Sequence, residues 1–154
     1  MLFMTKSMMK AKVLQRSKIT RYDGTFSSLS AFLLSPAPSV VDTESADGRG
    51  EGTLSLADDV FSLNYKEEES GIAVSLEREG DAVTVKRGGA TLMFRMGKKT
   101  SFDYRTAYGV LPMEAYTEEV TLQEKGNIRL FTLVYTAVFG GMAQKNEMRF
   151  KITV

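Results

Sequence analysis

Apolar and polar residues alternate with a period of two along most of this chain. At the C-terminus, 148-MRFKITV-154 puts Met148, Phe150, Ile152 and Val154 on one face and Arg149, Lys151 and Thr153 on the other. The same pattern recurs in 61-FSLNYKE-67, 72-IAVSLE-77 and 83-VTVKR-87. Successive side chains on a β-strand point to opposite faces, so each run describes a ribbon with one dry side. Turn residues punctuate the runs at Asp58-Asp59, Ser70-Gly71, Gly80-Asp81, Gly88-Gly89, Gly97-Lys98, Lys125-Gly126-Asn127 and Gly140-Gly141. Short strands with turns every 8–12 residues or so predict an antiparallel meander, and no helical pattern long enough for a parallel crossover interrupts them.

One stretch, 102-FDYRTAYGVLPMEAYT-117, changes phase. Phe102, Tyr104 and Tyr108 hold even positions, whereas Leu111, Met113 and Ala115 hold odd ones. A slip of one residue turns every side chain to the other face, so a bulge or a turn must lie at Tyr108-Gly109. A single bent strand from 99 to 118 would far exceed the usual 3–10 residues, which favours a tight hairpin over 106-TAYG-109. Pro112 cannot donate to a ladder, so its nitrogen should face a gap, an edge or a bulge.

The expected strands are 9–20, 49–57, 60–67, 72–79, 82–88, 91–96, 99–106, 110–118, 127–139 and 146–154. About ten consecutive hairpins close most simply as a single all-β, antiparallel up-and-down barrel, which removes exposed edges. Residues 1–8 read as a disordered extension and 9–154 as one domain. The serine-rich segment 25–47 reads as an insertion or a lid between the first two strands. Within it, Leu29, Phe32 and Leu33 have helical spacing behind serines suited to an N-cap, so a short helix near 27–34 is expected. The stretch 128–139 is apolar on both faces and is expected either to be buried on both sides or to meet an oligomer partner.

Composition matters mainly through what is missing. The 154 residues contain no cysteine, no histidine and no tryptophan. Thiol nucleophiles, Ser-His-Asp arrangements, zinc–thiolate sites and imidazole ligands are therefore excluded. No metal motif stands out, and 66-KEEES-70 fits a solvated hairpin end better than a cation site. A net charge of +1 gives no electrostatic reason to expect nucleic acid or an anionic membrane as partner. The start MLFMTKSMMK lacks a signal-peptide core, and no run reaches membrane-spanning length, so a cytoplasmic location is expected.

From about Gly48 onward the chain resembles the YwiB-like proteins, a family of uncharacterised bacterial proteins. The similarity rests on 51-EGTL-54, Tyr65 with Glu67, 71-GI-72, 83-VTVKRGG-89, 104-YRTAYGVLPMEAYT-117 and the tail through 150-FKITV-154. It implies a lipocalin-like, calycin-type barrel and carries over no catalytic residue and no cofactor. The serine-rich stretch 27–46 is longer than the resemblance leads one to expect.

Two groups of residues are candidates for a site. Parity puts Glu67 and Arg87 on the apolar side of their strands, where a charge is costly unless paired; each could lie at the rim, pair with the other, or anchor an anionic ligand. An aromatic file, Phe102, Tyr104 and Tyr108 with Tyr65, Met93 and Phe94 as neighbours, packs the core or walls a pocket. Together these predict a non-catalytic barrel binding a small, partly apolar or anionic ligand. The alternative is a protein-interaction module or homodimer with a filled interior, and a hydrolase or isomerase using Tyr, Arg and Glu ranks third.

Overall fold

The computed structural model describes residues 6–36, 38–57 and 59–154. Ten strands and one short helix follow the chain as β1 (Lys6–Tyr22), α1 (Leu29–Leu33), β2 (Val40–Ala57), β3 (Val60–Glu67), β4 (Ala73–Glu79), β5 (Ala82–Arg87), β6 (Ala90–Arg95), β7 (Lys99–Thr106), β8 (Gly109–Lys125), β9 (Ile128–Phe139) and β10 (Met142–Thr153). They form one ten-stranded sheet in the order β6-β5-β4-β3-β2-β1-β10-β9-β8-β7, antiparallel throughout. The sheet curls into a nearly closed barrel whose open seam lies between β6 and β7. The seam is bridged by Thr100, whose Oγ1 donates to the Met93 carbonyl at 2.8 Å, and by the 96–98 link.

The hairpin at the phase change is real. Thr106 pairs with Gly109, so residues 107–108 form a two-residue loop and Tyr108 stands fully exposed at its tip. Phe102 then faces Met113 and Tyr104 faces Leu111 on neighbouring strands, which reconciles the two parities. Pro112 lies one residue beyond the reach of β9, whose pairing with β8 starts at Met113, so no ladder on that side needs its N–H. The β9–β10 turn takes a primed form: Gly140 and Gly141 both have positive φ (56° and 78°), as a two-residue loop of that type requires.

A bulge does exist, but further along. The β8–β9 register shifts between Thr117 and Glu119, so Glu118 has no opposite partner and the inward set changes from Met113, Ala115 and Thr117 to Val120 and Leu122. Glu118 is thrown outward, where it accepts from Thr136 Oγ1 at 2.8 Å and pairs with Lys145 at 3.3 Å. A strand expected to stop at 118 therefore continues to Lys125: the bulge had mimicked an end.

Segment 25–47 is not one insertion. Strand β1 starts at Lys6, so residues 6–8 are part of the sheet, while residues 1–5 lie outside the described residues. Strand β2 starts at Val40, and residues 40–47 are exposed on both faces. They show no alternation because this end of the β1–β2 ribbon stands clear of the core; Arg21 pairs there with Asp42 and Glu44 across the strands. Helix α1 does form, capped by the Ser28 hydroxyl accepting from Ala31 N at 3.1 Å. It does not act as a lid. Leu29 and Phe32 pack with Tyr116, Val138 and Ala143, whereas their chain neighbours Ala115 and Ala137 belong to the barrel core. Because neighbours on a strand face opposite ways, the helix must sit on the outer wall of β8, β9 and β10. It covers Val138 on the outer side of β9, and Glu118 lies against Thr136 next to it, so residues toward this end of the strand are buried on both faces.

Inside, the middle of the barrel is filled. Phe61 stacks on Phe131 with ring centroids 5.6 Å apart, and Phe131 meets Phe150 edge-on at 6.2 Å. Leu54, Leu63, Leu76, Leu133 and Ile152 surround them without solvent exposure. Strand β2 approaches β3 closely because it carries glycine on its inner face: a Cβ at Gly52 would lie 1.9 Å from the Asn64 carbonyl oxygen. Backbone cannot yield as a flexible side chain does, so Gly52→Ala should cost about 1–3 kcal/mol in urea unfolding, the range of overpacked cores. Gly48→Ala, where the nearest atom is the Gln15 side chain at 3.3 Å, should cost much less.

Candidate functional site

The barrel has two mouths. At the one formed by the β3–β4, β5–β6 and β7–β8 turns, two charged residues sit on the inner face. Tyr65, Val74 and Arg87 lie in one register row across β3, β4 and β5, and Glu67 is two residues beyond Tyr65 on the same side. Arg87 reaches over the short end of β4 to Glu67. Its Nε donates to Oε2 at 3.0 Å and its Nη2 to Oε1 at 2.8 Å. Ser70 Oγ donates to the same Oε1 at 2.6 Å. The Ser70 hydroxyl in turn accepts from Ile72 N at 3.1 Å, which fixes the β3–β4 loop around the carboxylate.

This pairing answers why two charges occupy inward positions: each satisfies the other at the rim. The Arg87 guanidinium holds the Glu67 carboxyl below its ordinary value, against the opposing effect of partial burial and with help from Ser70. Glu67 correspondingly raises Arg87. The pair remains half open to water, with 55% of the Arg87 side chain and 14% of Glu67 exposed, so it contributes only on the order of 0.5–1 kcal/mol.

Two tyrosines stand near the pair, and two phenylalanines lie deeper in the barrel. Tyr65 is buried, and burial, followed by the nearby Glu67 charge, pushes its phenol up to about 12. Phe94 meets Phe102 edge-on at 5.7 Å across the seam. Tyr104 is half-buried on β7 and lies close enough to act electrostatically on both Arg87 and Tyr135.

Of the eight expected residues, Tyr65, Glu67 and Arg87 meet at this mouth with Tyr104 near Arg87, whereas Phe94, in register with Val83, Arg78 and Phe61, meets Phe102 deeper in the barrel; all six face inward. Met93 and Tyr108 do not. Met93 is 54% exposed because its neighbour Phe94 points inward, and consecutive strand residues cannot share a face. Tyr108 belongs to the turn tip rather than to the wall.

Sequence reasoning missed Tyr135. Its ring lies 4.4 Å from Phe94, and burial pushes its phenol far above the ordinary tyrosine range. Its parity with Phe131 and Leu133 was the available signal, masked because β9 is apolar on both faces. Tyr135 is the middle of a polar row on the inner wall: it pairs in register with Thr117 on β8 and Asn146 on β10. Thr117 is 0% and Asn146 5% exposed, yet Thr117 Oγ1 and Asn146 Nδ2 have no hydrogen-bond partner. Such orphaned groups cost about 1–3 kcal/mol each.

Two depressions open to solvent. One of about 360 Å³ lies on the outer surface behind the cluster, over the row Asn64, Ser75 and Lys86. The other, about 580 Å³, occupies the opposite mouth, with Leu56, Val60, Phe61 and Leu122 below and Arg78 and Glu124 beside them. Among the described residues no group of three or more carboxylates gathers as a cation site, and no helix is long and apolar enough to cross a membrane.

A nearly closed, ten-stranded antiparallel barrel with an ion pair and tyrosines at one mouth defines the class of protein. The chain belongs to the family described as "Domain of unknown function (DUF1934)", whose model matches residues 40–149. In overall fold it is similar to the ywiB protein from Bacillus subtilis, known from a crystal structure: 13% sequence identity, a TM-score of 0.53, and coverage of 92% of this chain and 91% of that one. At that identity the likeness is one of fold. No curated protein matches this chain.

The ion pair sets a pH dependence. Glu67 titrates lower in the folded chain than in the unfolded one, so its contribution is complete above its ordinary value of 4.5 and disappears as pH falls through the folded value. Unfolding free energies measured from pH 7 to pH 3 should therefore show a shallower acid limb in Glu67→Gln than in the parent. Parallel limbs would mean that the pair carries no linkage.

Proposed function

We propose that this protein is a non-catalytic, lipocalin-like barrel of the cytoplasm that holds a small, partly apolar ligand with an anionic end at the Arg87 mouth. The observation that carries this reading is the inward Arg87–Glu67 pair, set near the buried Tyr65 and the half-buried Tyr104. Arg87 spends Nε and Nη2 on Glu67, and a guanidinium has a further edge for a carboxylate or phosphate. The filled middle of the barrel supports a ligand seated at the mouth, not threaded along the axis.

Chemistry supports binding over catalysis. Tyr65 and Tyr135 are both pushed further from physiological pH, Arg87 is raised, and Glu67 is lowered. A group poised to exchange protons near neutrality would need shifts in the opposite directions.

The second reading, an interaction module or homodimer, draws on the same filled interior. Part of β9's outer face is covered within the single chain, Val138 by α1 and Thr136 by Glu118, while Leu130 stays 39% exposed for such a contact. Sedimentation of the purified chain separates the two, because the ligand-binding reading needs only a monomer.

Mass spectrometry under native conditions should show a retained small molecule after mild purification. Decanoate, as a probe, should bind with an affinity that falls about 10-fold or more in Arg87→Gln, the loss of a charge-assisted hydrogen bond. Equal decanoate binding by the parent and Arg87→Gln would remove Arg87 from the reading.

A further inference from the structure

The inner row Thr117–Tyr135–Asn146 is unlike the rest of the wall. Along β8 and β9 its neighbours on that face are Ala115, Leu133 and Ala137, all fully buried and apolar. Two of its three members carry polar atoms sealed from water and without a partner. The row also lies where the sheet is weakest. Strands β6 and β7 are the two ends of the ladder, and the 96–98 link between them rests on the backbone of Thr117: Gly97 N donates to the Thr117 carbonyl at 2.9 Å, and Thr117 N donates to the Lys98 carbonyl at 3.3 Å. Phe94, on β6, covers Tyr135.

We propose that this row is the hydrogen-bonding floor of a closed binding site, which opens when β6 swings away from β7 and lifts Phe94 off Tyr135, and that it takes the carbonyl group of a neutral, largely apolar molecule. The proposal rests on the reading of this barrel as a ligand binder and names a second, deeper site for a different, neutral ligand.

Donor and acceptor inventory sets the ligand chemistry. Asn146 Oδ1 already accepts from Gln144 Nε2 at 3.3 Å, so what Asn146 offers is its Nδ2–H. Thr117 adds a hydroxyl that can donate, and Tyr135 a phenol. The row therefore presents donors and calls for an acceptor. A carboxylate would need a cation in the row itself, and none of its three members carries a positive charge. A neutral carbonyl needs no countercharge and satisfies the donors.

The route follows from the ladder. Moving β6, with β5 carried along by their ladder, breaks no strand pairing with β7; it gives up the Thr100–Met93 bond and the Phe94–Phe102 contact and loads the bonds of the 96–98 link to Thr117. Gly97, with φ +71° and open space around its α-carbon, sits in the link where such a swing would pivot.

The experiment uses Nile red, an uncharged fluorophore with a ring carbonyl, titrated into the full chain. Thr117→Val keeps the side chain's shape and removes the orphaned hydroxyl. It should weaken Nile red binding roughly 5- to 10-fold, the worth of one hydrogen bond, while leaving the melting temperature unchanged or higher. Phe94→Leu thins the cover and should speed Nile red association several-fold. Folded Thr117→Val that binds Nile red as tightly as the parent overturns the carbonyl contact. Unchanged or slower association in Phe94→Leu overturns the route. Absence of Nile red binding by the parent overturns the site itself. Decanoate at Arg87 is read with a different probe and a different variant, so either site can fail alone.

Discussion

The pairing of the first strand with the last holds this barrel together. Strands β1 to β6 form one meander and β7 to β10 another, and the β1–β10 ladder, from Lys12 opposite Thr153 to Arg21 opposite Gln144, is the one that joins them. Every other ladder links strands that are consecutive in sequence. The joining ladder spans nearly the whole chain, so its loop-closure entropy must be met before any of its bonds forms. What rewards it is the shared core: Val13 and Ala11 from one meander meet Ile152, Phe150 and Phe131 from the other. The stack of Phe61 on Phe131 crosses the same divide.

Much of this architecture was legible because period-two alternation is a direct consequence of strand geometry. The number and order of the ten strands could be read from parity and turn residues, and the hairpin at Tyr108 from parity together with strand length. What escaped reading has a physical explanation in each case. The start of β2 is exposed on both faces because it stands beyond the core, so it carries no alternation to detect. The bulge at Glu118 reversed parity within β8 and imitated a strand end. The helix was foreseeable from Leu29, Phe32 and Leu33, but its docking on the outer wall depends on Val138, Ala143 and Tyr116 meeting in space, which no local pattern encodes.

The candidate site was legible to the same extent and for the same reason. A charge on the apolar face of a strand is conspicuous, and Glu67 and Arg87 found each other as unlike charges at a rim do. Met93 and Phe94 were taken together although adjacent residues must part company. The inner polar row stayed hidden because threonine, tyrosine and asparagine are unremarkable singly. They become a row only when β8, β9 and β10 are laid side by side in register.

The seam has a consequence for how the chain could be rearranged. Between β6 and β7 the backbone turns a corner without founding a ladder, while the former ends of the polypeptide lie on adjacent, paired strands. A chain reopened near Gly97, with β10 linked on to its paired neighbour β1, would keep the same nine strand pairings. Two separate polypeptides divided at that point would each be an intact meander, able to find the other through β1 and β10.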